Sequence, residues 1–103
     1  MVKGKPYKVI WSDTAKEQLN EAYHYIKKES EKNAKIVRTR ILESTRILST
    51  GKEIYKADQL KSENKGNYRA YVIYNYRITY KIESGRIEIL RVRHTSREPL
   101  EYQ

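Results

Sequence analysis

The stretch from Tyr68 to His94 constrains the fold most. It holds three segments rich in Tyr, Ile and Val, at residues 68–73, 76–82 and 86–93, parted only by short turn signals. Such residues suit the half-buried surface of a pleated sheet. Ser84-Gly85 is a two-residue hairpin turn of the Gly-containing kind. Tyr74-Asn75 is a weaker turn signal, although Asn tolerates positive φ. The segments predict an antiparallel three-stranded meander.

The Ser84-Gly85 turn also predicts a register. It sets Glu83 opposite Arg86, hence Ile82 opposite Ile87, Tyr80 opposite Ile89 and Ile78 opposite Arg91. Side chains alternate between the faces of a strand. One face then carries Tyr76, Ile78, Tyr80, Ile82, Ile87 and Ile89, and should pack under helices. The other carries Arg77, Thr79, Lys81, Glu88, Leu90, Val92 and His94, and should stay open.

In that register Arg77 faces Val92, and His94 lies diagonally from it, within reach of a long side chain. A cation beside an imidazole on an uncovered face predicts a phosphate site. The plainer alternatives are an exposed sheet arginine and a strand-end histidine hydrogen-bonded to the tail. Arg69 depends on the Tyr74-Asn75 connection. A two-residue loop puts it on the helix side, and a three-residue loop puts it beside Arg77. The second is expected, because an unpaired guanidinium under the helices is costly. Arg91 and Arg93 should continue the apolar face past the helices, either solvated or against a partner.

Upstream, Tyr7–Trp11 reads as a strand in which Val9 and Trp11 alternate with Lys8 and Ile10. Ser12 and Asp13 supply an N-cap and a first-turn acid. Ala15, Leu19, Ala22, Tyr23 and Ile26 then make one apolar helix face. A second helix fits 32–49, with Ala34, Val37, Ile41 and Leu48 on one face. The short gap between the helices predicts an antiparallel hairpin. The whole is an α+β fold: an N-terminal strand and a two-helix hairpin packed on one face of a small, mainly antiparallel sheet.

Residues 51–67 show no clear period. Seventeen structureless residues are too many for an ordinary connection, so this is a functional loop or holds a strand of its own. It carries Lys52, Lys56, Lys61 and Lys65, which are either solvated or in contact with phosphate. The tail from Thr95 to Gln103 contains Pro99 and should leave the sheet.

Composition narrows the chemistry. The chain has 103 residues, a single domain by length. With 22 Lys plus Arg against 13 Asp plus Glu, its formal charge is +9. It has no cysteine, which excludes a disulfide scaffold, thiolate metal sites and cysteine nucleophiles, and which suits a reducing compartment. His24 and His94 lack helical ligand spacing, so no dedicated transition-metal site is expected, and nothing in the sequence points to a cofactor. No apolar run approaches the roughly 18 residues of a membrane span. The expected location is the cytoplasm. Ten Tyr with no Phe supply apolar area with polar tips, suited to amphipathic packing or to a surface that stacks on a polar partner.

Three stretches carry a family resemblance: Val9-Ile10-Trp11-Ser12, Asn75-Tyr76-Arg77-Ile78-Thr79-Tyr80, and Ile89-Leu90-Arg91-Val92-Arg93-His94. With the closing His94-Thr95-Ser96-Arg97-Glu98-Pro99, the chain resembles the RelE/ParE superfamily of type II toxin–antitoxin toxins over nearly its whole length except 51–67. RelE-like members cut mRNA in the ribosome without a metal, and ParE-like members inhibit DNA gyrase. Both are neutralised by an antitoxin that wraps the toxin.

The resemblance implies two readings. In the first, the RNA 2′-OH attacks, Arg77 holds the phosphate, His94 is the general acid, and Arg69 with a loop lysine shares the charge. Nuclease members often carry an aromatic hydroxyl next to the histidine, where this chain has Thr95, and no general base is matched; Tyr102 could reach back. Lys56, Lys61, Lys65, Arg91, Arg93 and Arg97 would contact RNA or a partner. In the second reading the cationic face, the helix hairpin and the tail bind gyrase without chemistry. A third is a plain nucleic-acid-binding module, which the charge permits. The resemblance also implies an antitoxin, and the charge predicts that its toxin-binding segment is acidic with apolar anchors and disordered alone.

Overall fold

The computed structural model describes residues 7–50 and 66–97. Its elements are β1 (Lys8–Trp11), α1 (Asp13–Lys27), α2 (Glu31–Leu48), β2 (Tyr68–Ile73), β3 (Tyr76–Glu83), β4 (Arg86–His94) and a single 3-10 turn, Thr95–Arg97. Lys56, Lys61, Lys65 and Tyr102 lie outside the described residues, as does the 51–65 part of the aperiodic segment.

The first helix begins where its cap predicts, and the second begins one residue before its expected start, at a cap the sequence reading did not assign. The Ser12 hydroxyl accepts the Ala15 N–H at 3.0 Å, and the Ser30 hydroxyl accepts that of Asn33 at 3.1 Å. Each occupies one of the amides a helix start leaves without an intrahelical partner. Asp13 and Glu31 add acids to the first turns. The sheet order is β1-β4-β3-β2. β1 runs parallel to β4, while β2, β3 and β4 form the antiparallel meander.

The core lies between the helix hairpin and one sheet face. Ala15, Ala22, Ile41 and Leu48 meet Tyr71, Tyr76, Ile78, Tyr80, Ile87, Ile89 and Val92 there, all buried. A fully buried Ile or Leu side chain contributes about 1.5–3 kcal/mol. Tyr71 packs edge-on to Tyr80, and its hydroxyl meets the Ser44 hydroxyl at 2.6 Å, so the tyrosine's polar tip is satisfied inside the apolar layer.

Both hairpin turns contain two residues. Ser84 (φ 51°) with Gly85 (φ 78°), and Tyr74 (φ 52°) with Asn75 (φ 65°), each have two successive positive φ values. This backbone matches the right-handed twist of the flanking strands. The short Tyr74-Asn75 connection corrects the expected three-residue loop. Ile73 faces Tyr76, Arg69 faces Tyr80, and Arg69 therefore lies on the helix side, away from Arg77. The cost of placing a guanidinium there is reduced by a hydrogen bond from Arg69 Nε to the Gly66 carbonyl at 2.9 Å.

The β3–β4 ladder departs from the register set by its turn. Glu83 to Tyr80 pair with Arg86 to Ile89 as expected, and then the ladder shifts. Thr79 faces Arg91, Ile78 faces Val92, Arg77 faces Arg93 and Tyr76 faces His94. Leu90 is the extra residue of a β-bulge, opposite no partner. One inserted residue exchanges the faces of everything beyond it. Val92 and His94 turn to the helix side, and Arg91 and Arg93 to the open side. This corrects the expected placement of all four.

Candidate functional site

The bulge separates the two residues on which the expected phosphate site depends. Arg77 stays on the open face, in a row with Val72 on β2 and Arg93 on β4. The next row is Ala70, Thr79 and Arg91. Three guanidinium side chains thus share one end of the open face. Thr79 among them is only 3 % exposed, so this face is not bare at its centre. Lys81, further along, meets Glu83 at 3.0 Å. That hydrogen bond, with the charges of Tyr68 and Glu83, holds the ammonium above the ordinary lysine range.

His94 is on the opposite face. Its ring stands edge-on to Tyr76, with centroids 5.2 Å apart. Its Nδ1 accepts the Ser96 N–H at 3.1 Å and meets the Ser96 hydroxyl at 2.8 Å. Because a backbone N–H donates to Nδ1, a neutral ring carries its proton on Nε2. His94 is a strand-end residue bonded to the start of the tail, the plainer of the two expectations for it. Arg77, Arg69 and His94 therefore do not converge. Arg97 sits in the 3-10 turn that follows His94.

A second feature escaped the sequence reading. On the His94 side, a groove of about 500 Å³ runs between α1 and the end of β4. Gln18, Glu21 and Tyr25 wall it from α1 and Lys28 from that helix's C-cap, with Val92, Arg93 and His94 on β4. The α1 residues recur at steps of three and four, a polar stripe beside the apolar one, which was the available signal. His24, His94 and Glu21 all line this groove, yet the described residues contain no metal-ligating group of three.

The class defined by this arrangement is a small α+β protein with a helix hairpin on one sheet face and an arginine-rich opposite face, the architecture of RelE/ParE-type toxins. The family model described as "ParE toxin of type II toxin-antitoxin system, parDE" matches residues 9–99. The chain belongs to the ParE toxin family of the RelE/ParE superfamily, and membership implies an antitoxin partner. Among solved structures it is similar to a chain described as "Chromosomal ParDE TA system from P. aeruginosa", with a TM-score of 0.71 and 16% identity. That match covers 88% of this chain and 98% of the other, and at such identity it speaks for the fold alone. No curated protein sequence matches. Among the described residues no helix is long and apolar enough to cross a membrane.

Proposed function

We propose that this toxin inhibits growth by binding DNA gyrase rather than by cutting mRNA. The observation that carries the reading is the separation of Arg77 and His94 onto opposite faces of the sheet. Metal-free RNA cleavage needs a general acid and a phosphate-holding cation within hydrogen-bond reach of one phosphodiester. A sheet thickness between the two denies them a common phosphate. Membership in the ParE branch points the same way. Binding asks for no such convergence, and the arginine row suits an anionic or acidic counter-surface.

The test is a supercoiling assay with purified gyrase and the purified full chain. The reading expects loss of supercoiling with accumulation of cleaved DNA, unaffected by His94→Ala. Gyrase that works normally at a large excess of toxin, together with cuts in ribosome-bound mRNA, overturns it.

A further inference from the structure

α2 carries a second stripe, turned away from the core. Asn33, Ile36, Arg40, Glu43, Ile47 and Thr50 follow one another at alternating steps of three and four. That is the spacing of the a and d positions of a coiled coil. All of them are exposed, Ile36 at 39% and Ile47 at 49%. The face that α2 lays on the sheet is made of other residues, Ala34, Ile41, Thr45 and Leu48. Thr50, just past the helix, keeps to its path, with its N–H donating to the Ile47 carbonyl at 3.1 Å. Arg38 marks the side of α2 turned to α1, since its guanidinium lies 5.2 Å from the centre of the Tyr23 ring. At about 100° per residue, Ile36, Arg40, Glu43 and Ile47 sit roughly opposite Arg38 round the helix. The stripe therefore faces away from α1.

Its order is self-complementary. From either end it runs polar, apolar, charged, charged, apolar, polar, and the two charges are of opposite sign. In an antiparallel pair of such helices each a position meets a d position. Ile36 then meets the partner's Ile47, Arg40 the partner's Glu43 and Asn33 the partner's Thr50, each contact occurring twice about a two-fold axis. A parallel pair would set arginine on arginine and glutamate on glutamate, so the charges select the antiparallel arrangement. Among the described residues neither Arg40 nor Glu43 forms an ion pair within the chain. A second copy supplies both with a counter-charge.

We propose that α2 is a homodimerisation surface, on which two copies of this chain pair antiparallel about an axis midway between Arg40 and Glu43. The two Ile36–Ile47 contacts supply apolar burial. The two Arg40–Glu43 pairs fix orientation and register, at some cost in stability. The stripe is about 25 Å long and has only two apolar layers, less than a standard interface holds. The dimer is accordingly weak, with a dissociation constant on the order of 100 µM. Two chains of +9 also repel at long range. Salt screens that repulsion more than it screens a pair in contact. The surface lies apart from the arginine row and is independent of the target the toxin attacks.

The experiment is sedimentation equilibrium on the purified full chain, from about 10 µM to about 1 mM, at about 0.3 M salt, where charges more than about 6 Å apart are screened. The expected result is a mass that climbs with concentration from 12.3 kDa towards twice that value. Arg40→Glu and Glu43→Arg should each weaken association at least tenfold, because each sets like charges across the axis. An equimolar mixture of the two variants should associate at least as tightly as the parent, since every facing pair is then of opposite sign. Lys16→Glu, on an exposed position of α1, changes the net charge as Arg40→Glu does and should alter association less than threefold. Thermal melts matching the parent's show that the variants are folded. A parent that stays monomeric to 1 mM overturns the proposal. So does a dimer indifferent to Glu43→Arg, which would place the contact on another face, and so does a mixture no more associated than either variant alone. No gyrase enters these measurements, so the two readings fail separately.

Discussion

Two residues show how local geometry decides chemistry here. Tyr74 holds φ at 52° in a turn position where Asn or Gly sits without penalty, and it is nearly half exposed. A non-Gly residue in the left-handed region costs about 1–2 kcal/mol. Tyr74→Asn, which keeps the two-residue turn, should raise stability by roughly 1 kcal/mol and the melting temperature by about 4–8 °C. A thermal melt checks this, and a lower melting temperature would mean that the tyrosine ring contributes more than the backbone loses. His94→Ala removes the acceptor of the Ser96 N–H and the edge contact with Tyr76. It should cost about 0.5–1.5 kcal/mol in urea unfolding, with toxicity on expression retained. The sequence showed both residues but not their settings. The acid role of His94 came from the family resemblance and from a register that set it near Arg77; its structural partner, Ser96, is only two residues away.

At the scale of elements, the helices and strands were legible because their apolar periods are clean and their caps and turns use residues with a mechanism. Ser12 and Ser84-Gly85 mark boundaries that the structure places within a residue or two. The register beyond Tyr80 was not legible. A bulge inserts one residue without any glycine or proline to announce it, and Leu90 looks like any strand leucine. The expected three-residue loop after Ile73 failed for a related reason. It was inferred from the cost of burying Arg69, and a hydrogen bond to Gly66 lowers that cost. The bulge makes a prediction of its own. Leu90 faces no partner, so deleting it leaves a regular ladder with Val92 still opposite Ile78 and His94 still opposite Tyr76. The deletion variant should fold cooperatively, weakened by roughly 1–3 kcal/mol through the loss of the Ser12–Leu90 bond and local packing. Loss of cooperative urea unfolding would show that the bend itself holds the sheet under the helices.

For the molecule as a whole, charge and fold together define its role. The described sheet and turn, residues 68–97, hold Arg69, Arg77, Lys81, Arg86, Arg91, Arg93 and Arg97 against Glu83 and Glu88, a balance of 7 − 2 = +5 out of +9. A partner that neutralises this half must be acidic. Salt screens exposed charges within about 10 Å at 0.1 M, so the toxin–antitoxin complex should dissociate faster as salt rises, by about tenfold or more between 50 and 500 mM; a rate that does not move with salt would count against a charge-led interface. The family was legible from three short stretches, because they combine core positions with the strand and helix boundaries that the fold requires. The target was not, because the same scaffold serves cleavage and binding. The account is tested most directly by expressing the toxin without its antitoxin while pulse-labelling DNA and protein synthesis, alongside Arg77→Ala and His94→Ala. It predicts that DNA synthesis falls first with SOS induction, that His94→Ala behaves as the parent, and that protein synthesis declines only later. An immediate fall in protein synthesis with mRNA cuts, abolished by either substitution, would contradict it.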